Sequence, residues 1–259
     1  MYAASITNSR NQTLQLNANE ANYQVTEITG LSEPPATVNT TAIYGMAGGV
    51  FNSAHVENRN IVINMKINGN AEQNRLNLYK YFPTGEQVRF LYSLDTIQNI
   101  YIDGYVDKME CSAFTNKMIA QISIICPYPY FQDVTASTAS SLNTSDNSVT
   151  VGANSTADCG LIFRVYIIDT LTTLRINQNN GAFLELDNVS LQPGDVVRIN
   201  TLDGQKSVVL VRNNAESSLI GNIANGSMLL KIAPGGSKFT CTSSNAFFYV
   251  TYKNTYRGV

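Results

Sequence analysis

The chain has 259 residues, of which 44% are hydrophobic and 14% charged, and its formal net charge is −2. That balance supplies neither a basic field for wrapping nucleic acid nor a polybasic face for an anionic membrane. No apolar run approaches the roughly 18 to 20 residues that span a bilayer, and the opening MYAASITNSRN lacks the basic-then-apolar layout of a signal peptide, so the expectation is a chain that is cytosolic when made and long enough for two domains.

To about residue 131 the pattern reads as strands with one helix. Tyr23, Val25 and Ile28 lie in an opening strand that stops at Gly30-Leu31-Ser32-Glu33-Pro34-Pro35, a turn punctuated by glycine and proline. In 59–67, Ile61, Ile63, Met65 and Ile67 share one face and Asn60, Val62, Asn64 and Lys66 the other, which is the period of a half-buried strand. Residues 71–82 contain no glycine, proline or β-branched side chain. Asn70 with Gln73 three residues on makes a capping box, and Pro83-Thr84-Gly85 is the stop, so the spacing predicts a helix with Leu76, Leu78, Tyr79 and Phe82 as one broad stripe. Strands resume with Val88, Phe90 and Tyr92 and continue through 100–106, where Asp103-Gly104 fits either a tight hairpin turn or a bulge in one long strand. In the last strand of this half Ile122, Ile124 and Cys126 alternate. Pro127 and Pro129 each remove a ladder donor, and the strand ends there.

From 132 to 157 serine, threonine and asparagine dominate, as in a connection with room for a polar edge strand. Beyond it short strands are expected at 161–168, 173–177, 183–186, 196–200, 207–211 and 247–252. They are separated by turn signals at Asn180-Gly181, Pro193-Gly194-Asp195, Asp203-Gly204 and Pro234-Gly235-Gly236. Such spacing predicts an antiparallel β-sandwich. The expected fold is therefore mainly β, with a mixed domain of strands and one helix over 1–131, which the resemblance given below makes the ring-forming one, and a sandwich domain over 132–259.

Candidate chemistry is sparse. Cys111, Cys126, Cys159 and Cys241 form no C-x-x-C pair and have one histidine, His55, to help them, so no metal site is expected; Cys126 reads as a small buried hydrophobe. A strand would put Glu185 and Asp187 on one face, as in jelly-roll glycosidases, but the position for a proton-donating acid is Ser190, and the pair reads as the solvated face of an edge strand. His55 sits in 52–58, a stretch that reads as a polar loop without a nucleophile. Gly45-Met46-Ala47-Gly48-Gly49 is followed by neither a helix nor a lysine, which leaves a mobile loop or an inter-subunit arm as its reading rather than a phosphate cradle. Phe247, Phe248, Tyr249, Tyr252 and Tyr256 are candidates for stacking on sugar rings, although half of a strand's aromatics face its own core.

In order and spacing these pieces resemble the distal tail protein family of long-tailed bacteriophages that infect Gram-positive hosts. The carriers are the run from Tyr23 to Leu31 with Pro34-Pro35, Arg59-Asn60-Ile61-Val62-Ile63, Gly69-Asn70 leading the helix with Arg75 and Leu78-Tyr79 inside it, the run from Tyr101 to Val106, and Gln121-Ile122-Ser123-Ile124-Ile125-Cys126-Pro127. In the second half they are Leu191-Gln192-Pro193-Gly194-Asp195, Ile199-Asn200-Thr201, Gly204-Gln205-Lys206-Ser207-Val208 and Tyr256-Arg257-Gly258-Val259. The resemblance implies an N-terminal domain like the tail-tube subunit, a β-sandwich or split barrel with one α-helix, and a galectin-like or jelly-roll sandwich after it. It implies a non-enzymatic hub in the virion tail tip, assembled in the host bacterial cytoplasm as a homohexameric ring. The implied partners are the tail-tube protein above, a tail-hub (tail-associated lysin-like) protein below and receptor-binding proteins at the edge, with DNA passing without specific binding, no membrane and no cofactor. Tyr44, Gly45, Gly48, Gly49, Phe51, Ser53, His55 and Arg59 are the expected inter-subunit arm. The alternative expectation is a carbohydrate-binding accessory protein acting through its C-terminal sandwich.

Overall fold

The structure is a computed structural model that describes residues 3–93, 99–113, 115, 117–142, 144–152 and 154–259. The chain divides into two compact units, the first made of 1–134 and 256–259, the second of 135–255. Among the described residues no helix is long and apolar enough to cross a membrane.

The first unit contains β1 (Ala3–Asn8), β2 (Thr13–Leu16), β3 (Tyr23–Thr29), β4 (Ala36–Ala42), β5 (Gly49–Val56), β6 (Arg59–Ile67), the helix α1 (Ala71–Tyr81), β7 (Gln87–Ser93), β8 (Ile100–Cys111), β9 (Met118–Cys126) and β10 (Phe131–Asp133). Two strands thus precede the one expected to open the chain. They form a hairpin whose short runs carry two inward apolar positions each, Ala4 and Ile6 against Leu14 and Leu16, too few to stand out as a period. The main sheet runs β2-β1-β7-β8-β9-β6-β3, and its two edge strands meet at a parallel bridge between Asn17 and Gln24, so the sheet is a nearly closed barrel. Its interior is the predicted alternation: Ile61, Ile63, Met65 and Ile67 of β6 lie with Ile122, Ile124 and Cys126 of β9, all buried.

Asp103-Gly104 is neither turn nor bulge. It lies inside β8, and the register against β9 shifts three residues later, between Val106 and Lys108. Glycine is needed at 104 because a Cβ there would stand 2.6 Å from Ile124 Cγ2 and 2.9 Å from the Ile125 carbonyl oxygen. Gly30 is held at φ +83, where a Cβ would meet the Asn60 carbonyl oxygen at 2.0 Å.

Helix α1 begins as the sequence predicts, with the Asn70 side chain accepting from the Gln73 amide. Its buried face is narrower than the expected stripe. Leu78 and Phe82 point into the barrel core, while Leu76 and Tyr79 are exposed. Residues two apart on a helix differ by about 200° of rotation, so Leu76 cannot share a face with Leu78; it shares one with Tyr79, three residues on.

The second unit contains β11 (Ser137–Ser140), β12 (Ser148–Val151), β13 (Leu161–Ile167), β14 (Leu174–Gln178), β15 (Phe183–Leu186), β16 (Val196–Asn200), β17 (Ser207–Arg212), β18 (Ala215–Ser218), β19 (Ser237–Cys241) and β20 (Ala246–Tyr252). They form a six-stranded sheet, β11-β20-β13-β16-β17-β18, and a four-stranded one, β12-β19-β14-β15, so the predicted antiparallel sandwich is present. Phe163 and Phe248 from the larger sheet meet Phe239 from the smaller in one buried cluster, with Phe163 and Phe239 edge-on at 5.2 Å. Fully burying an aromatic or large aliphatic side chain stabilises by about 1.5–3 kcal/mol, which is why the inward set holds the two sheets together. The polar segment after 132 supplies an edge strand to each sheet, β11 and β12. A final short strand, β21 (Thr255–Tyr256), pairs with β10 of the first unit.

Candidate assembly surface

Strands β4 and β5 form a two-stranded sheet of their own. From Ala36 to Val56 there is no aspartate, glutamate, lysine or arginine. The β-branched residues Thr37, Val38, Thr40, Thr41 and Val50 favour extended backbone, and the register is continuous except for a shift between Asn39 and Thr40. Side chains reinforce it: Asn39 Nδ2 donates to Ser53 Oγ at 3.1 Å, and Asn52 Nδ2 to Thr41 Oγ1 at 2.7 Å. At the tip Gly45 and Gly48 take φ of +79 and +87, and the Met46 amide donates to the Ile43 carbonyl. At the base the Glu57 amide donates to the Pro35 carbonyl at 3.0 Å, and Thr37 Oγ1 donates to the Glu57 carboxylate.

Every residue of both strands is exposed except the half-buried Val56. Val38, Ile43, Tyr44, Met46, Val50 and Phe51 present six large apolar side chains to solvent, with Phe51 61% and Val38 58% accessible. Single exposed hydrophobics are ordinary, whereas six on one hairpin without Asp, Glu, Lys or Arg make it a candidate interaction surface. A two-stranded hairpin is marginal by itself, and its outer edges are open ladders without the lysine or proline that usually guards them.

The eight expected arm residues divide accordingly. Tyr44, Gly45 and Gly48 lie in the tip; Gly49, Phe51, Ser53 and His55 lie on β5, so 52–58 is largely strand rather than the loop its polar composition suggests. Arg59 is elsewhere. It starts β6, is 1% exposed, and its guanidinium donates to four main-chain carbonyls: Pro129 at 2.6 Å, Gly30 at 2.5 Å, Ser32 and Arg257. The same group lies over the Phe131 ring at 4.7 Å, and burial lowers its pKa from the usual guanidinium value. Its role is to tie the Gly30 turn, the proline-rich segment after β9 and the 256–259 tail to one point.

The other candidates fall into structural settings. Glu185 stands opposite Arg175 on β14 and accepts from its Nη1 at 3.0 Å, while Arg175 stacks over Phe183 at 3.9 Å; Asp187 lies past the end of β15. His55 is exposed opposite Thr37. Phe248 is core; Phe247 and Tyr249 pack with Tyr166 in a mutual cluster, stacked at 5.2 Å and edge-on at 5.6 Å. Tyr256 is buried in the first unit, where its hydroxyl donates to Asp133 Oδ1 at 3.0 Å. Among the described residues no three histidine, cysteine or acidic side chains converge as a metal site would require.

Neither family models nor curated protein sequences match the chain. Solved structures do. The SPP1 Dit (gp 19.1) protein, a paradigm of the hub adsorption apparatus in phages infecting Gram-positive bacteria, superposes with a TM-score of 0.73 at 12% identity, over 97% of this chain and 98% of that one. The chain has the Dit fold. A chain of the phage P2 baseplate in its activated conformation with Ca also aligns, at 10% identity over 100% of both chains, with a TM-score of 0.46. The Dit fold spans both units, and the exposed β4–β5 hairpin belongs to the first of them.

Proposed function

We propose that the protein is a non-enzymatic hub of a phage tail tip. Six copies form a ring that joins the tail tube to the tail-hub and receptor-binding proteins and leaves a passage for DNA. The observation that carries this reading is the correspondence of fold along 97% of the chain with a hub adsorption protein. The β4–β5 hairpin supports it: both strands are exposed along their length, and the ribbon carries six exposed large apolar side chains and no Asp, Glu, Lys or Arg.

Physical chemistry makes the ring coherent. Closed rings use heterologous contacts, in which each subunit presents two different patches. A formal charge of −2 also suits a passage through which DNA slides, since each neutralised phosphate would add salt-dependent affinity and hold the DNA in place. Assembly takes place in the host cytoplasm before incorporation into the virion. Light scattering of the purified chain tests the reading: a stable mass of six subunits, with six-fold rings in negative-stain images, is expected. Solitary particles at every concentration, even with tube subunits added, would refute it.

A further inference from the structure

Among the described residues the second unit exposes four large apolar side chains, Leu142, Ile168, Ile220 and Met228, and the first two border one cleft. It holds about 410 Å³, within the roughly 300–1,000 Å³ of small-molecule sites. Leu142, Ile168 and the half-buried Phe247 supply its apolar lining, and the serines and threonines of 144–145 and 242–244, with Asp146, supply the polar one. Its two loops are pinned in advance. Thr144 Oγ1 donates to the Ser141 carbonyl at 2.7 Å and accepts from the Ser148 amide, and the Cys241 amide donates to the Asn147 carbonyl at 3.0 Å. The Asn147 side chain joins one loop to the other, its Nδ2 donating to the carbonyls of Ser243 and Ala246 at 2.8 and 2.7 Å. Asn147 is itself held at φ +47, and its Oδ1 is one of two buried side-chain atoms without a partner among the described residues. Such costs collect at binding sites, where the surrounding structure imposes them.

Charge decides the class of ligand. Asp146 is the single formally charged residue of the lining, which contains no lysine, arginine or histidine among the described residues. Its Oδ2 accepts from Lys238 Nζ at 2.8 Å and its Oδ1 from Ser148 Oγ at 2.7 Å, bonds that hold its carboxyl below the usual range and keep it ionised. An anionic ligand would meet that carboxylate with no cation in the lining to pair it. Clustered hydroxyls beside an apolar, partly aromatic wall suit instead a neutral ring that carries hydroxyls at its edge and C–H groups on its face. We infer that the cleft between 141–147 and 241–247 binds a neutral saccharide, with Asp146 accepting from sugar hydroxyls and Phe247 against the ring. Of the five aromatics the sequence offers for sugar stacking, Phe247 alone lines it. The site lies wholly in the second unit, so it stands or falls apart from the ring.

Saturation-transfer NMR of the full chain tests the site, with glucose, galactose, rhamnose, N-acetylglucosamine and N-acetylgalactosamine as neutral probes and poly(glycerol phosphate) as the anionic one. Transfer to at least one neutral sugar is expected. It should vanish in Ser244→Trp and in Ser145→Trp, each of which fills the cleft from an exposed position. In Asp146→Ala the titration should weaken about tenfold, the size of one lost hydrogen bond to a charged acceptor. A urea midpoint near the wild-type value identifies the variants that are folded, and those decide the matter. No transfer to any neutral sugar, transfer that survives in a folded tryptophan variant, an unweakened titration in Asp146→Ala, or a preference for the phosphate polymer overturns the inference.

Discussion

A guanidinium can be buried only where its donors are met, and Arg59 meets four carbonyls from three separate segments instead of a carboxylate. Arg59→Met would strand those acceptors, at about 1–3 kcal/mol for each one left dry, and should lower the stability of the first unit by at least about 3 kcal/mol in urea unfolding. Arg59→Lys should recover little, because an ammonium cannot reproduce the planar fork. Arg257→Ala is the contrasting case. Its side chain pairs with Glu33 on the surface, both more than half exposed, and what Arg59 uses is the main-chain oxygen, so the expected change is within about 0.5 kcal/mol. Beside Arg59, burial raises the Cys126 thiol from 9.0 to about 12. A pKa raised by folding means stability that is whole below about pH 9 and is lost as pH climbs toward 12. Cys126→Ala should therefore be less stable at pH 7 through its cavity, with the gap to the wild type narrowing when urea midpoints are compared at pH 7, 9 and 11.

Among the elements, β6 and β9 were legible because one face is core and the other is not, which writes the period of two directly into Ile61-Ile63-Met65 and Ile122-Ile124-Cys126. The same rule hid β4 and β5. With both faces in solvent there is no alternation to detect, and glycines at the tip look like a flexible loop. Leu76 and Tyr79 mislead in the opposite sense, since apolar residues on a helix are read as core whether they face the core or solvent. Glycine and polarity single out the eight expected arm residues, which explains why Arg59, next in sequence but first in a buried strand, is grouped with them. Because Pro35 and Glu57 are already joined by a hydrogen bond, excising 36–56 and bridging with two glycines should leave the barrel folded. Circular dichroism and thermal unfolding close to wild type are expected, together with a monomeric mass in light scattering; an unchanged ring would show that the hairpin is dispensable.

For the whole molecule, the second unit is an insertion, entering after Val134 and leaving at Thr255, rather than an appendage. Nothing in the composition of Tyr256-Arg257-Gly258-Val259 tells where it lies, because four residues carry no period and their contacts are made with groups more than a hundred positions away. The contacts are specific: Tyr256 with Asp133, the Arg257 carbonyl with Arg59, and the Val259 amide with the Leu31 carbonyl at 3.1 Å. Removing 256–259 should destabilise the first unit by several kcal/mol through these lost partners and leave the sandwich intact. Hydrogen exchange read peptide by peptide checks it: protection should fall in β6, β9 and β10 and persist in β13 and β20. Equal loss in both units would contradict it.

That closing segment also sets a clock. A ribosome adding about 5–20 residues per second must translate the entire sandwich before the barrel receives its last strand, so the barrel of a nascent chain waits unfinished for seconds while the rest is made. A copy cut short within the second unit carries the hairpin yet lacks the Arg257 carbonyl that Arg59 binds, and its barrel is left without the strand that pairs with β10.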